Sequence, residues 1–364
     1  MSKTGPVGVG VIGAGNISTQ YLDNLTTFPD LDVVFVADLD VERAREQADK
    51  YGIVGSGSVT ELLEHPQVEI VVNLTIPAAH VEVALTALTA GKNVWTEKPI
   101  GLDRASARTV VDSAARLGLR AATAPDTILG PGLQAGRRLI SEGRIGTVLT
   151  ALAIMQGSGP EAWHPNPDFL YAKGAGPLFD MGPYYLTALV QNLGPVRRVA
   201  ALSSTSHTTR TIGSGPRAGE DFAVEVPTHF GALLEFESSA SAQCIFSFQS
   251  GVRRSGLLEI SGTLGTVALP DPNGFDGDVS VFAVELAEPD VLATTSSFGR
   301  GAGVVDLARS IRAGVPEQAS AEQAFHVLDI MVAITEAAES GDYADVVSTT
   351  NVLPALPVEW NPRE

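Results

Sequence analysis

Glycines set where a strand gives way to a helix serve one purpose well. They let a pyrophosphate approach backbone N–H groups at the positive end of the helix. Gly13-Ala14-Gly15-Asn16-Ile17-Ser18 follows the apolar run Val7–Ile12 and opens a helical pattern, which makes Gly13, Gly15, Asn16 and Ile17 candidate cofactor contacts. Ser18 stands where the usual fingerprint has its third glycine, and it is small enough for close helix–strand packing. Asp38 ends the second strand run, where a carboxylate accepts hydrogen bonds from adenosine ribose hydroxyls. It also repels a 2′-phosphate, and Asp38-Leu39-Asp40 holds no basic residue, so NAD is expected over NADP.

Glu97-Lys98-Pro99 closes another strand at its carboxyl end, the edge at which open α/β sheets bind ligands. The loop Trp163-His164-Pro165-Asn166-Pro167-Asp168 combines an aromatic platform with several hydrogen-bonding groups, a composition suited to gripping a polyol. Trp163 and His164 are candidate substrate contacts, with loop packing an equal reading for His164. Ala124-Pro125-Asp126-Thr127 follows the last strand of the first half, from where Asp126 or Thr127 is expected to reach a cleft. Cys244, the single cysteine, lies in the alternating set Ala242, Cys244, Phe246 and reads as a core thiol. The histidines at 65, 80, 164, 207, 229 and 326 are dispersed, without HExxH or CxxC spacing, so no metal is expected.

These residues need a scaffold, and its pattern is legible. Strand candidates Val7–Ile12, Asp32–Ala37, Glu69–Leu74, Asn93–Thr96 and Leu119–Thr123 alternate with helical patterns such as Ala79–Ala90 and Asp103–Leu117, each stopped by glycine. That alternation predicts a doubly wound parallel sheet over 1–125. Beyond it come a helix Leu133–Ser141, a strand Thr147–Met155, a long Gly/Pro/aromatic loop and a helix beginning near Pro183. The period then drops to two in Val224–Phe236, Ala242–Phe248, Leu257–Ile260 and Val279–Leu286, as in an antiparallel or mixed sheet. Helices Val304–Ala313 and Ser320–Ser340 follow, the second opened by a Ser320/Gln323 capping box. The fold class is thus α/β, with a second α/β domain over 126–364 built on a large open, mostly antiparallel sheet.

Bulk properties agree with two well-packed domains. The chain has 364 residues, beyond the size at which one core usually stops growing. A formal charge of −18 disfavours nucleic acid and acidic membrane as partners, since phosphates demand clustered Lys and Arg. No run approaches the ~18 apolar residues of a membrane span. Met1–Pro6 is polar with no signal-peptide pattern, so a cytoplasmic location is expected.

Thr75-Ile76-Pro77-Ala78-Ala79-His80, Glu97-Lys98-Pro99, Gly174–Gly182 and Glu259–Val267, taken with the glycine turn, resemble the glucose–fructose oxidoreductase/inositol dehydrogenase (Gfo/Idh/MocA) family. The resemblance runs nearly the whole chain. It implies an NAD-dependent oxidoreductase moving a hydride between nicotinamide and a hydroxyl-bearing carbon of a sugar, polyol or glycoside. It also implies cofactor contacts at Thr75, Pro77, His80, Glu97 and Lys98, a nicotinamide between the domains, and a homodimer or homotetramer formed through the second domain's sheet. The family's catalytic lysine falls on Lys98 and its aspartate on Asp180, but the histidine expected four residues later is Tyr184.

Removing a carbinol proton needs a base with a pKa near working pH. A free tyrosine, at about 10, is poorly matched, whereas a lysine desolvated beside a cationic nicotinamide loses its proton more easily. Lys98 is therefore read as base, Asp180 as its orienting partner, and Tyr184 as positioning substrate or relaying the proton. Helix packing is the competing reading for Tyr185. Two other functions fit the same motifs: a glycosidase or eliminase that oxidises a sugar transiently, and a non-catalytic NAD-binding regulator.

Overall fold

The computed structural model describes residues 5–283 and 285–364; Met1–Thr4 and Val284, the latter within the run 279–286, lie outside the described residues. In chain order the first stretch runs β1 (Val7–Ile12), α1 (Asn16–Leu25), β2 (Leu31–Ala37), α2 (Val41–Tyr51), β3 (Gly55–Gly57), α3 (Val59–Glu64) and β4 (Ile70–Asn73). It continues with α4 (His80–Thr89), β5 (Asn93–Thr96), α5 (Arg104–Leu117) and β6 (Ala121–Thr123). These strands form a six-stranded sheet in the order β3-β2-β1-β4-β5-β6, and every pairing is parallel. Parallel strands covered on both faces lose the polar alternation, and β1 and β4 are buried at every position. The helix limits follow local chemistry. Asp103 caps α5 by accepting from Ser106 N at 2.8 Å, and Gly118 ends it in the left-handed region at φ +66°.

The next stretch runs α6 (Pro131–Ser141), β7 (Val148–Gln156), α7 (Gly176–Leu193), β8 (Val196–Ser204), β9 (Thr209–Thr211), β10 (Asp221–Ala223) and β11 (His229–Phe236). Then come β12 (Ser241–Ser247), β13 (Arg254–Gly262), β14 (Gly265–Leu269), β15 (Val279–Ala283) and β16 (Asp290–Leu292), followed by α8 (Ala302–Ala313), α9 (Ala321–Ser340) and β17 (Ala344–Asp345). Nine of these strands make one sheet, β16-β15-β14-β13-β7-β12-β11-β8-β17, antiparallel throughout except for β7 with β12. Burial alternates along β7, β11 and β12, so one face packs inward with Ala153, Phe230 and Cys244 while the other stays open. Cys244 is the expected core thiol, with burial pushing its pKa up to about 12.

The strand read over Val224–Phe236 begins only at His229, and two larger features of the fold also differ from expectation. The helix read as starting near Pro183 begins at Gly176, with Pro177 in its first turn and Pro183 inside it. An interior proline is tolerated here because α7 is buried along most of its length, and Gly182 lets it approach α9 so closely that a Cβ would sit 3.1 Å from Met331 Sδ.

The second difference concerns domain limits. The chain divides into two compact units, one of 1–129, 296–325 and 356–364, the other of 130–295 and 326–355. A boundary at 125/126 thus leaves α8 on the wrong side. The reason is local: Asp126 Oδ2 accepts from Gly301 N at 2.7 Å and Gly303 N at 3.3 Å, holding the start of α8. A Cβ on Gly303 would lie 2.0 Å from the Trp95 ring, so only glycine permits this approach. Arg309 with Asp30 and Arg312 with Glu69 pair farther along the same helix.

Asp126 gives this docking a pH dependence. Burial, opposed by Arg300 and the two glycine N–H groups, pushes its pKa up to about 6. A carboxyl whose pKa is raised on folding contributes most below its unfolded value. The contribution is lost as pH climbs from about 4 to about 6, a change on the order of 3 kcal/mol. Asp126→Asn keeps an acceptor for both glycines but cannot ionise. Urea unfolding should therefore find the variant gaining on the wild type between about pH 4 and about pH 7. An identical difference at both pH values would show that Asp126 does not titrate there.

Candidate active site

Each strand of the first unit's sheet delivers its carboxyl end to one edge, because all six run parallel. Gly13 follows β1, Asp38 follows β2, Thr75 follows β4 and Lys98 follows β5. The strand order reverses between β1 and β4, the switch point at which such sheets bind ligands. The sequence-predicted set of Gly13, Gly15, Asn16, Ile17, Asp38, Thr75, Pro77 and Lys98 is brought together along this edge.

At the glycine turn, Gly13 adopts φ +104° and a Cβ there would meet Leu74 O at 2.7 Å, so the close passage of β1 beside β4 requires glycine. Gly15 precedes α1 with no side-chain cap, and a Cβ built on it meets nothing within 4 Å. The result is an open helix N-terminus with room for a pyrophosphate, as a dinucleotide needs. Ser18, in the place of the third glycine, is fully buried and donates to Gly15 O at 2.6 Å.

Asp38 accepts from Ala14 N at 2.7 Å, Asp40 N at 2.9 Å and Arg43 Nη2 at 2.6 Å. Burial opposes its charge, yet these bonds, led by that from Arg43, hold the carboxyl below the usual carboxylate range. The absence of a basic residue within 38–40 therefore misses Arg43, which reaches back from the first turn of α2 with its side chain half exposed.

Two residues expected to touch cofactor turn inward instead. His80 is buried, with Nδ1 2.7 Å from Pro99 O and Nε2 3.1 Å from Thr75 O, so both ring nitrogens tie the β4 turn to the segment after Lys98. Burial lowers its pKa, and the neutral ring this favours carries one N–H, so it donates to one of these two carbonyls at a time. Glu97 accepts from Tyr21 OH at 2.7 Å and from Lys98 N at 3.1 Å, below the surface that Lys98 half occupies. Asp126 is also fully enclosed, holding α8 rather than lining a cleft, and Thr127 is equally buried.

Sequence reasoning overlooked Tyr21 and Asn73. Tyr21 carries no motif beyond its spacing on α1. Asn73 is buried at the end of β4, donates to His80 O at 3.0 Å and accepts from Thr75 Oγ1 at 2.6 Å, so it shapes the turn. A polar amide closing an otherwise apolar strand was the available signal.

In the second unit Asp180 and Tyr184 sit four residues apart on α7 and so share one helix face, Asp180 half-buried and Tyr184 buried. Tyr185 is a packing residue, accepting from Gly256 N at 2.8 Å and meeting the Phe246 ring edge-on. Trp163 is 68% exposed. His164 lies edge-on between Trp163 and Phe169, with ring centroids 5.5 Å away on each side, and its Nδ1 accepts from Asn166 N.

Residues 7–124 match the family model described as "Oxidoreductase family, NAD-binding Rossmann fold", and residues 133–268 match the GFO/IDH/MocA C-terminal domain. Trans-1,2-dihydrobenzene-1,2-diol dehydrogenase of Bos taurus is 30% identical over 268 residues, covering 72% of this chain and 74% of the relative. Among solved structures, levoglucosan dehydrogenase in complex with NADH and L-sorbose superposes with a TM-score of 0.83 at 22% identity, over 95% of this chain and 100% of that one. An NAD binding oxidoreductase from Klebsiella pneumoniae gives 0.83 at 23%, over 94% and 99%. A Rossmann domain with an open phosphate-binding helix end, joined to a mixed-sheet domain, defines an NAD-binding oxidoreductase. The chain belongs to the Gfo/Idh/MocA family.

The Asp38–Arg43 pair generates a cofactor prediction. Wild type should bind NAD⁺ more tightly than NADP⁺, since Asp38 repels a 2′-phosphate and restrains the Arg43 guanidinium on it. Asp38→Ser frees Arg43 and should narrow the gap at least about tenfold, while Asp38→Ser with Arg43→Ala should lose the gain on NADP⁺. Titration of both cofactors by tryptophan fluorescence decides it; tighter NADP⁺ binding by the wild type would overturn this account of Asp38.

Proposed function

We propose that the protein is an NAD-dependent dehydrogenase of a ring-shaped sugar, polyol or related diol, with Lys98 as general base. The observation that carries this reading is the position of Lys98 on the same sheet edge as the glycine turn and Asp38, immediately after the anchored Glu97. When bound, NAD⁺ supplies the hydride acceptor. Lys98 takes the hydroxyl proton, while Asp180 and Tyr184, on one face of α7, are the residues that the family resemblance assigns to orienting and to positioning a hydroxyl or passing the proton on. The exposed Trp163, steadied by His164 and Phe169, offers a flat apolar surface for a ring. The names of the relatives, a dihydrobenzenediol dehydrogenase and a levoglucosan dehydrogenase holding L-sorbose, support a hydroxyl-bearing substrate.

Self-association through the open sheet face belongs to the same reading. Strand register aligns Leu202, Gly231, Ile245, Ile154 and Leu257 in one outward row across five strands. A second copy of the chain is the occupant that would bury so continuous an apolar row.

Three measurements test these proposals. With NAD⁺ and a panel of levoglucosan, L-sorbose, inositols and trans-1,2-dihydrobenzene-1,2-diol, net NADH is expected; bond cleavage without NADH would point to transient oxidation instead. Lys98→Met should lose about 10²–10⁴-fold in kcat with little change in NADH affinity, and Tyr184→Phe should lose less, on the order of one hydrogen bond. Equal, near-total losses would overturn this assignment of roles. Sedimentation should find an oligomer that Leu202→Glu with Ile245→Lys converts to monomer, and a monomeric wild type would remove the sheet-face assignment.

A further inference from the structure

The aromatic loop 157–175 is long and irregular, and what holds it is a separate element. β9 and β10 form a two-stranded hairpin outside the nine-stranded sheet, pairing Thr211 with Asp221 and Thr209 with Ala223. From this hairpin Arg210, 10% exposed, pairs with Glu161 and donates to Ser158 O at 2.9 Å, the Tyr171 hydroxyl at 3.3 Å and Phe248 O at 2.8 Å. Arg217 makes a two-pronged pair with Asp168 at 2.8 and 3.0 Å. Gly213 N donates to Glu161 O at 2.8 Å, and a Cβ on Gly213 would lie 3.1 Å from Ala162 Cα. A Cβ on Gly215 would lie 2.5 Å from Pro165 Cβ. Both ends of the Trp163–Phe169 segment are therefore pinned, one at Glu161 and the other at Asp168. The Tyr171 ring packs against Phe222 of β10 at 5.2 Å.

We propose that this hairpin sets the position of the aromatic loop, with Arg210 and Arg217 as positioning residues that fix how tightly a ring-bearing substrate binds. The physical case is that a planar guanidinium holds several acceptors in one geometry, so each arginine removes freedom from the loop before any ligand arrives. A preorganised platform improves affinity and leaves the chemical step, carried by other residues, unchanged. The inference rests on reading Trp163 and its neighbours as substrate contacts, and the two are separable by experiment.

The probe for position is Trp163 itself, in the full-length protein with Trp360→Phe, where the remaining Trp95 is buried. Arg210→Met and, without touching charge, Gly213→Val should each lower Trp163 fluorescence anisotropy and raise its acrylamide quenching, with Arg210→Lys intermediate. With NAD⁺ and the best-turned-over member of the panel above, the same variants should raise substrate KM about tenfold while kcat stays within about twofold. NADH affinity and the unfolding midpoint are the controls for a merely loosened fold. Unchanged anisotropy and quenching in both Arg210→Met and Gly213→Val would overturn the inference. If Trp163→Ala leaves KM unaltered, the loop is not a substrate contact and the reading beneath the inference fails. If Trp163→Ala raises KM but Arg210→Met and Gly213→Val do not, the hairpin has no part in specificity.

Discussion

A carboxylate enclosed in protein costs least when its oxygens are paired, and Glu97 has a partner for each. One oxygen takes the hydroxyl of Tyr21 and the other the backbone N–H of Lys98. Tyr21 in turn accepts from Trp95 Nε1 at 3.1 Å, and burial followed by the Glu97 and Asp126 charges raises its pKa well above the ordinary tyrosine value, so it stays a donor. Tyr21 stands on α1, the helix that the glycine turn opens, while Glu97 is joined to the lysine. One buried charge-assisted bond, of a kind worth about 1.5–3 kcal/mol, therefore ties the helix opened by the glycine turn to the segment that carries Lys98.

Other struts converge on the same segment. His80 bridges Thr75 and Pro99, and Asn73 braces the turn that carries Thr75. Trp95, behind Glu97, receives the start of α8 through Gly303, and Asp126 holds that start in place. The strand end that carries Lys98 is thus fixed from the helix after the glycine turn, from the neighbouring strand and from a helix that follows far downstream, beginning at Ala302. The chain returns to its first unit for a physical reason: a parallel sheet needs both faces covered, and α8 supplies cover near β5.

The parts that were legible in the sequence share one property, a pattern repeated over several residues. β1 and β5 fall at the expected limits, each bounded by turn residues, and in α5 the helical period is closed at its two ends by Asp103 and Gly118. The hairpin 209–223 escaped notice because its strands are three residues each, too short for any period to register. Arg43 escaped because its link to Asp38 spans a helix start that spacing does not encode. His80 and Glu97 illustrate a different limit. Their positions at the sheet edge were read correctly, but a sequence does not say whether a polar side chain at such an edge faces ligand or turns inward to brace the backbone. Pro183 shows tertiary packing overriding a local rule, with Pro177 the proline that actually begins the helix.

The two units also differ in how they hold their functional residues, and the difference bears on what can vary. In the first unit the edge is braced by buried neutral and charge-assisted hydrogen bonds among strands and helices, where a small displacement would disturb Lys98 and the glycine turn together. In the second, the aromatic loop hangs on two arginines, two glycines and one tyrosine ring, none of them in the main sheet. Under the proposed function, altering that hairpin would move the aromatic loop without unpacking a core, leaving the braced sheet edge as it is. The constraint on the sheet edge is one of close backbone approach and paired burial. The constraint on the loop is only that some element keep it still.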